Sequence, residues 1–478
     1  MPMSVDHEIK GILQNFRYVP TGDQKKAVRH LAAFGISRKT NPLYLLKGYA
    51  GTGKTSLVSA FVNHLYAERR RFVLMAPTGR AAKVLAQYTG FQAYTIHRRI
   101  YRTVTRQDGR QKLVLSQNQM QHTVFIVDEA SMISDYVLDK GLVESSGSLL
   151  EDLMQFVFSQ PGNKLLLVGD TAQLPPIGLD ISPALDPDYL RQVFNLTAFS
   201  FEMQEVMRQA LDSGILATAT RLRKKIVEED AEPPFFMRQM FGRDVQVVED
   251  GYMLEDLMQT AFASGEEGES IVITRSNKSA NSYNGQIRGR IQLRESELEA
   301  GDKLMVVKNN YFWLAPQSKA GFIANGDMAV VLRVNHMEEM YGFHFAEAEI
   351  RLADYPEEKE LTVKLLLDSL SADGPDIDTG EQRRLYDEVS LDYMSIPQRG
   401  KRLEAIKKDP YFNALHVKYA YAITCHKTQG GQWPVVFVDQ GFMKPEMLNI
   451  EFLRWLYTAF TRATQKVYLL NFHPEFFG

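Results

Sequence analysis

The run Gly48-Tyr49-Ala50-Gly51-Thr52-Gly53-Lys54-Thr55, followed by Ser56, has the residue types and spacing of a loop that holds phosphate. Its glycines let backbone N–H groups close around an anion, Lys54 can reach the β and γ oxygens, and the Thr55 hydroxyl can join Mg²⁺. Further along, Asp128-Glu129-Ala130-Ser131 closes the apolar run Thr123 to Val127. A strand ending in two carboxylates can hold the metal through Asp128 and place Glu129 to polarise a water for attack on the γ-phosphate. Together the two runs describe nucleoside triphosphate hydrolysis, with ATP and Mg²⁺ as the implied ligands.

Other positions read as parts of the same chemistry. Leu165 to Pro176 passes from an apolar strand into a polar turn, so Asp170 and Gln173 emerge at a carboxyl end, where open α/β sheets bind ligands. Gln173 reads as a γ-phosphate sensor, because a switch needs a group that notices hydrolysis. Arg208 and Arg462 lie in or entering the second half of the chain. Either could complete the triphosphate site from a second unit, a contribution worth a factor of about 10³ to 10⁵ in phosphoryl transfer. Gln24 sits in Thr21-Gly22-Asp23-Gln24, which is either a capping box or a nucleotide contact.

A further set suits nucleic acid. In Ala76-Pro77-Thr78-Gly79-Arg80 a turn opens a helix whose free N–H groups, with Arg80 and Lys83, suit a phosphate anion or form an ordinary cap. Thr95 and His97 add hydroxyl and imidazole donors just before a hairpin-like stretch. Thr424, His426, Lys427 and Thr428 can donate to nucleic acid phosphates, and Gly430 lets a nucleotide approach closely. Cys425 beside His426 does not read as a thiol nucleophile, since adjacent residues rarely meet in the geometry that catalysis needs.

The elements that must position these groups are legible in outline. Short, β-branched apolar runs at 43–46, 72–76, 123–127, 164–168, 271–274, 435–438 and 466–470 alternate with helix-compatible stretches. Near-continuous apolar strands belong to parallel sheets covered on both faces, so the fold class is α/β with two such units. Asp108-Gly109 between two strand-like arms predicts a projecting hairpin. Strand-like runs at 303–308, 328–334, 343–352 and 361–367, with an Asn325-Gly326 turn, predict a small barrel-like insertion over about 301–410.

Composition bounds the class. A chain of 478 residues exceeds what one core usually serves, and 45% hydrophobic with 24% charged residues reads as globular. No apolar run approaches the roughly 18 residues of a membrane span, so no membrane partner is expected. The N-terminus lacks a basic-then-apolar leader pattern and Cys425 is the single cysteine, which makes a cytoplasmic setting the expectation. A net charge of −3 gives no global basic signature, and a local basic groove is expected instead.

Taken in order, these segments resemble the motifs of superfamily 1B DNA helicases, in the RecD, Pif1 and Dda-type group, from Gln24 to Arg462. The resemblance implies two RecA-like P-loop motor domains: 1–197, carrying a pin-like hairpin at 98–118, and 198–300 with 411–478. The 301–410 insertion then resembles an SH3-like module. It implies that Gln24 contacts adenine and Gln173 senses the γ-phosphate. Arg208 and Arg462 become the second-domain arginines. Pro77, Thr78, Gly79, Arg80, Thr95, His97, Thr424, His426, Lys427 and Thr428 fall in segments lining a single-stranded DNA track. The implied activity is ATP-dependent unwinding of forked duplex DNA by a monomer moving 5′ to 3′, in a bacterial or phage-type cell. An RNA helicase, a single-stranded DNA translocase and a nucleotide-gated binding switch are the alternatives. The pin carries no aromatic at its Asp108-Gly109 tip, and nuclease sequence and a long N-terminal extension are missing, which favours a free-standing enzyme over a subunit.

Overall fold

The computed structural model describes residues 4–478 except 17, 106–110, 137–147, 207–212, 264–269, 315–317, 319–321, 354 and 356–357, with backbone alone at 103–105, 111–113 and 445. In chain order the strands of the first half are β1 (Pro42–Gly48), β2 (Arg71–Ala76), β3 (Ala93–Thr95), β4 (Tyr101–Thr105), β5 (Gln111–Leu115), β6 (Thr123–Val127), β7 (Lys164–Gly169) and β8 (Thr197–Met203). Six of them form one sheet in the order β3-β2-β6-β7-β1-β8, parallel throughout. Alternate side chains of the central strands enter two different cores: Leu43, Leu45, Phe125 and Leu165 on one face, and Tyr44, Leu46, Ile126 and Leu166 on the other. Burial on both faces explains the unbroken apolar runs, and each fully buried large side chain contributes about 1.5–3 kcal/mol.

The second half supplies β9 (Val245–Val247), β10 (Ser270–Thr274), β11 (Lys303–Val306), β12 (Met328–Met340), β13 (Phe343–Leu352), β14 (Leu361–Leu366), β15 (Leu415–Tyr419), β16 (Ala422–Thr424), β17 (Trp433–Asp439) and β18 (Ala463–Leu470). A second parallel sheet runs β16-β10-β17-β18-β9. Between β10 and β16 the chain leaves to build a closed barrel, β11-β12-β13-β14-β15. Phe343, Phe345, Leu385, Val389 and Ile406 pack the helices Thr379–Asp392 and Arg399–Ile406 against that barrel.

Two boundaries move from their expected places. Thr197 does not end the first unit but opens β8, which pairs with β1 from Pro42↔Thr197 to Gly48↔Met203, so the sheet continues six residues further. The barrel likewise outruns 301–410, because Leu415–Tyr419 returns to pair with both β11 and β14. Neither strand reads as an isolated apolar run, and the partners of both lie far away in sequence. The arms β4 and β5 pair antiparallel from Tyr101↔Leu115 to Thr105↔Gln111, and the Asp108-Gly109 tip lies outside the described residues.

The two sheet units share a seam. Tyr49, Ala172 and Leu174 of the first belong to the same apolar cluster as Ile215, Leu456, Tyr457 and Trp433 of the second. That seam lies at the carboxyl ends of β1 and β7, where the phosphate-type loop emerges.

Candidate functional site

Strand β1 lies between β7 and β8, and the loop leaving it turns through Gly51 at φ 76° and Gly53 at φ 81°. Both values are left-handed, which glycine adopts without the cost a Cβ would add. Gly53 caps the helix Lys54–Ala67 with no side-chain hydrogen bond, so its first N–H groups face the loop. A helix start of this kind attracts anions. The Lys54 Nζ donates to Gly48 O at 2.5 Å and Tyr49 O at 3.0 Å, and lies 3.8 Å from Asp170 Oδ2. Thr52 is fully buried and its hydroxyl donates to Tyr49 O, while Thr55 and Ser56 open the helix with their side chains partly or fully accessible.

Of the two readings left open for Gln24, the structure shows the capping box. Its Oε1 accepts from the Thr21 amide at 2.9 Å, completing a capping box, and its Nε2 donates to Thr52 O at 3.0 Å. The cap therefore ties a helix start to the phosphate-type loop. In this arrangement both ends of the amide are committed.

Asp128 follows β6, its amide donating to Met75 O at 3.0 Å and its Oδ1 accepting from the Glu129 amide at 2.9 Å. Burial, with the neighbouring Glu129 charge, pushes the Asp128 carboxyl up to about 7. Glu129 itself sits at φ 52°, a left-handed conformation that costs a non-glycine residue on the order of 1–3 kcal/mol. In the turn that follows β7, Gln173 is buried and its Oε1 has no donor among the described residues. Two crowded carboxylates and an orphaned amide oxygen fit a divalent cation and its coordinated water, with Thr55 and Asp128 as the groups that would hold it.

The second unit reaches this site through the helix Ile450–Phe460, whose Arg454, Tyr457 and Thr458 share one face at i, i+3 and i+4. The Tyr457 hydroxyl accepts from the Ala50 amide of the loop at 2.8 Å and donates to Asp170 Oδ2 at 2.7 Å. Thr458 Oγ1 accepts from the Leu174 amide at 2.9 Å. Arg454 donates to the carbonyls of Thr171 and, at 3.4 Å, Gln173. Arg454 and Tyr457 were missed in the sequence, although helical spacing within Arg454-Trp455-Leu456-Tyr457-Thr458 carried the signal. Arg462 is buried and donates to Thr458 O, Gly431 O and Thr461 Oγ1, all within its own unit. Arg208 lies outside the described residues.

The segments assigned to nucleic acid meet across the seam. Gly430, at φ 75°, packs on the helix start at Thr78: a Cβ there would lie 2.7 Å from Ala81 Cβ and 3.0 Å from Thr78 Oγ1. The close approach that Gly430 permits is thus between the two units. Thr78, which follows Pro77, accepts from Ala81 N through its Oγ1 and caps that helix, and Gly79 lies close to Asp327 and Tyr355 on the barrel side. Arg80 stacks over Trp433 at 3.8 Å and donates to Gln432 O at 3.0 Å. Lys427 donates to Asn325 Oδ1 at 2.5 Å. Burial lowers the pKa of both Lys427 and His426. Thr424 is the N-cap of the short turn Cys425–Thr428 without a side-chain bond.

Three expected donors are withdrawn from solvent. Thr428 is fully buried and its hydroxyl donates to Cys425 O at 2.6 Å, closing its own turn. Thr95 is buried and its hydroxyl accepts from Arg98 N. His97 packs against Tyr101, and desolvation pushes its pKa down to about 4, so it is uncharged near neutral pH. These side chains shape the segments rather than present charge. The Cys425 thiol, pushed up to about 12 by burial, is unsuited to nucleophilic work.

Residues 20–232 match the family described as AAA domain, and residues 419–470 match the UvrD-like helicase C-terminal domain. An uncharacterized protein of Acanthamoeba polyphaga mimivirus, R530, is 20% identical over 90% of this chain and 96% of its own. The ATP-dependent RecD2 DNA helicase of Deinococcus radiodurans is 31% identical over 37% of this chain. The RecBCD enzyme subunit RecD of Mycobacterium tuberculosis is 30% identical over 34% of it. The matched stretches span 21% and 28% of those two relatives' own lengths. A Pif1 helicase from Bacteroides, solved with ADP-AlF3 and ssDNA, overlays 96% of this chain and 94% of its own at a TM-score of 0.47 and 14% identity. No helix among the described residues is long and apolar enough to cross a membrane.

Proposed function

We propose, on the premise that this chain is a RecD/Pif1-like member of superfamily 1B, that it is an ATP-dependent DNA helicase. It moves along single-stranded DNA 5′ to 3′ and opens forked duplex by coupling hydrolysis to closure of its two α/β units. One observation carries the coupling: the Tyr457 hydroxyl of the second unit is held between a loop amide at Ala50 and the Asp170 carboxylate of the first. Any ligand that pulls on the loop or on Asp170 pulls on the helix Ile450–Phe460 as well.

Each side chain then has a task. Lys54 exchanges its loop carbonyls for phosphate oxygens, Glu129 orients the attacking water and Gln173 offers its free Oε1 to that water or accepts a proton-bearing partner beside it. Thr55 and Asp128 would hold Mg²⁺, which when bound neutralises charge developing on the phosphates. Arg454 carries movement of the 171–173 turn into the second unit. The seam formed by Thr78, Arg80, Gly430 and Trp433 changes with it, and the flanking basic and hydroxyl groups grip the DNA backbone alternately. The monomer is the proposed working form.

The test is an unwinding assay on paired substrates carrying a 5′ or a 3′ single-stranded tail, with ATP and Mg²⁺, run beside Lys54→Ala. Unwinding of the 5′-tailed substrate alone, abolished by Lys54→Ala, is the expected result. Unwinding of the 3′-tailed substrate overturns the polarity, and Lys54→Ala unwinding at the normal rate overturns the mechanism. Stronger stimulation by RNA than by DNA of equal length points to the RNA helicase instead. About one ATP consumed per binding event points to a switch.

A further inference from the structure

Beside the seam, on the second unit, lies a cavity of about 240 Å³ lined by Leu174, Arg275, His426, Glu451, Phe452 and Trp455, among others. It is smaller than the roughly 300–1,000 Å³ of drug-sized ligand sites, which sets the scale of an occupant at a single ring system. Its floor is aromatic: the Phe452 and Trp455 rings stack at 5.9 Å with a 10° interplanar angle. Arg275, at the end of β10, lies over both, 5.3 Å from the Phe452 centroid and 5.9 Å from the Trp455 centroid. Its guanidinium hydrogen-bonds the Met443 sulfur, and no carboxylate lies within ion-pair distance among the described residues. The Trp455 side chain is 5% exposed, and its indole N–H has no acceptor.

A half-buried cation bonded only to a thioether and a buried N–H without an acceptor both leave hydrogen-bonding capacity unspent, and such groups mark a missing ligand. The rim constrains its chemistry. Glu451, exposed, and Glu446 add carboxylates that repel a phosphate but accept from amino and imino N–H groups. A neutral planar ring with carbonyl acceptors on one edge and N–H donors on another satisfies both sides while stacking on the arginine plane. Nucleobases have that character, and side-chain recognition of unstacked bases uses arginine planes and aromatic rings. The cavity also adjoins His426, next to the Thr424 and Lys427 positions assigned above to the DNA backbone.

We infer that this cavity receives one unstacked nucleobase of the bound strand, with Arg275 as its donor, Glu451 as its acceptor and the Phe452–Trp455 pair beneath it. The inference rests on the DNA-translocating reading above and adds a base contact to a track otherwise built from backbone contacts. Stacking of this kind is worth about 1–3 kcal/mol per base, so loss of the site lowers affinity on the order of five- to a hundredfold. It also gives the motor a grip that a sugar-phosphate chain without bases cannot supply.

The test compares binding and ATPase stimulation by a dT oligonucleotide and by a fully abasic oligonucleotide of equal length. The proteins are the full-length chain, Trp455→Phe and Arg275→Ala, with far-UV spectra and thermal melts confirming that each variant folds. The base-bearing strand is expected to bind the native chain more tightly than the abasic one, and both variants are expected to narrow that ratio at least threefold. Binding of the abasic strand stays within twofold. Trp455 fluorescence, isolated in a Trp313→Phe, Trp433→Phe background, is expected to quench with dT and not with abasic strand. Equal losses on both strands, or an unchanged ratio, overturn the base pocket and leave the helicase reading intact. No DNA stimulation of the native chain overturns the parent reading itself.

Discussion

Tyr457 and Asp170 belong to different α/β units, yet the phenol hydroxyl of one donates to the carboxylate of the other at 2.7 Å, while the same oxygen accepts from the Ala50 amide. Asp170 Oδ2 in turn lies 3.8 Å from Lys54 Nζ. A buried chain of four polar groups thus runs from the second unit to the lysine of the phosphate-type loop. Tyr457→Phe keeps the ring and removes the bridge. It is expected to lower stability by about 1–3 kcal/mol, because a buried N–H and a carboxylate oxygen each lose a partner. The DNA-stimulated ATPase is expected to fall about tenfold with a smaller change in the basal rate. Urea melts and steady-state ATPase with and without DNA check both, and a proportional loss of the two rates would remove Tyr457 from the coupling.

Gln173→Leu separates stability from turnover. The Oε1 of Gln173 is buried without a donor, so an apolar side chain of similar size relieves an unmet polar group. Stability is expected to stay level or rise by up to about 1 kcal/mol, while ATP hydrolysis falls on the order of tenfold or more. Paired melts and single-turnover hydrolysis measure the split. A variant that loses stability as well as activity places Gln173 in the packing instead.

Gly430→Ala tests how closely the units must approach. The added Cβ would meet Ala81 Cβ at 2.7 Å, and the backbone there has φ 75°. Crowding and left-handed strain together are expected to cost about 2–4 kcal/mol and to weaken DNA binding measurably. Gly90→Ala is the control, because its φ is 79° but nothing lies within 4 Å of the new atom. It should cost about 1–2 kcal/mol and leave DNA affinity unchanged. Equal effects of the two substitutions on fluorescence-anisotropy titrations would show that the 430 turn has room to spare.

His97 gives the pH dependence a sign. Desolvation holds its folded pKa near 4, below the ordinary 6.5, so the unfolded chain binds the extra proton first. The associated stability is fully present above pH 6.5 and is lost as pH falls toward 4, by up to about 3 kcal/mol. His97→Gln should flatten the difference between urea midpoints at pH 7 and pH 5. An unchanged difference would assign the acid sensitivity to other buried groups.

Much of the site was written in local sequence. Gly51, Gly53, Lys54 and Thr55 must follow a buried strand, because left-handed glycines and a helix start are properties of neighbours in the chain. Asp128-Glu129 and Asp170 were found for the same reason: each ends an apolar strand. β8 and β15 were not, since a strand that completes a sheet or barrel is identified by distant partners.

What the tertiary structure decided is which side chains of an already recognised segment face the site. The sequence singled out Arg462 alone, and spacing of about 3.6 residues per turn sends Arg454, Tyr457 and Thr458 toward Thr171, Ala50 and Leu174 while Arg462 turns to Gly431. Gly430 likewise announced a close approach, and only the packed seam showed that its neighbour is Ala81. Strand ends and helix starts follow from short-range backbone geometry. The facing of a side chain across two units depends on contacts hundreds of residues apart, and those exist only once both cores have formed.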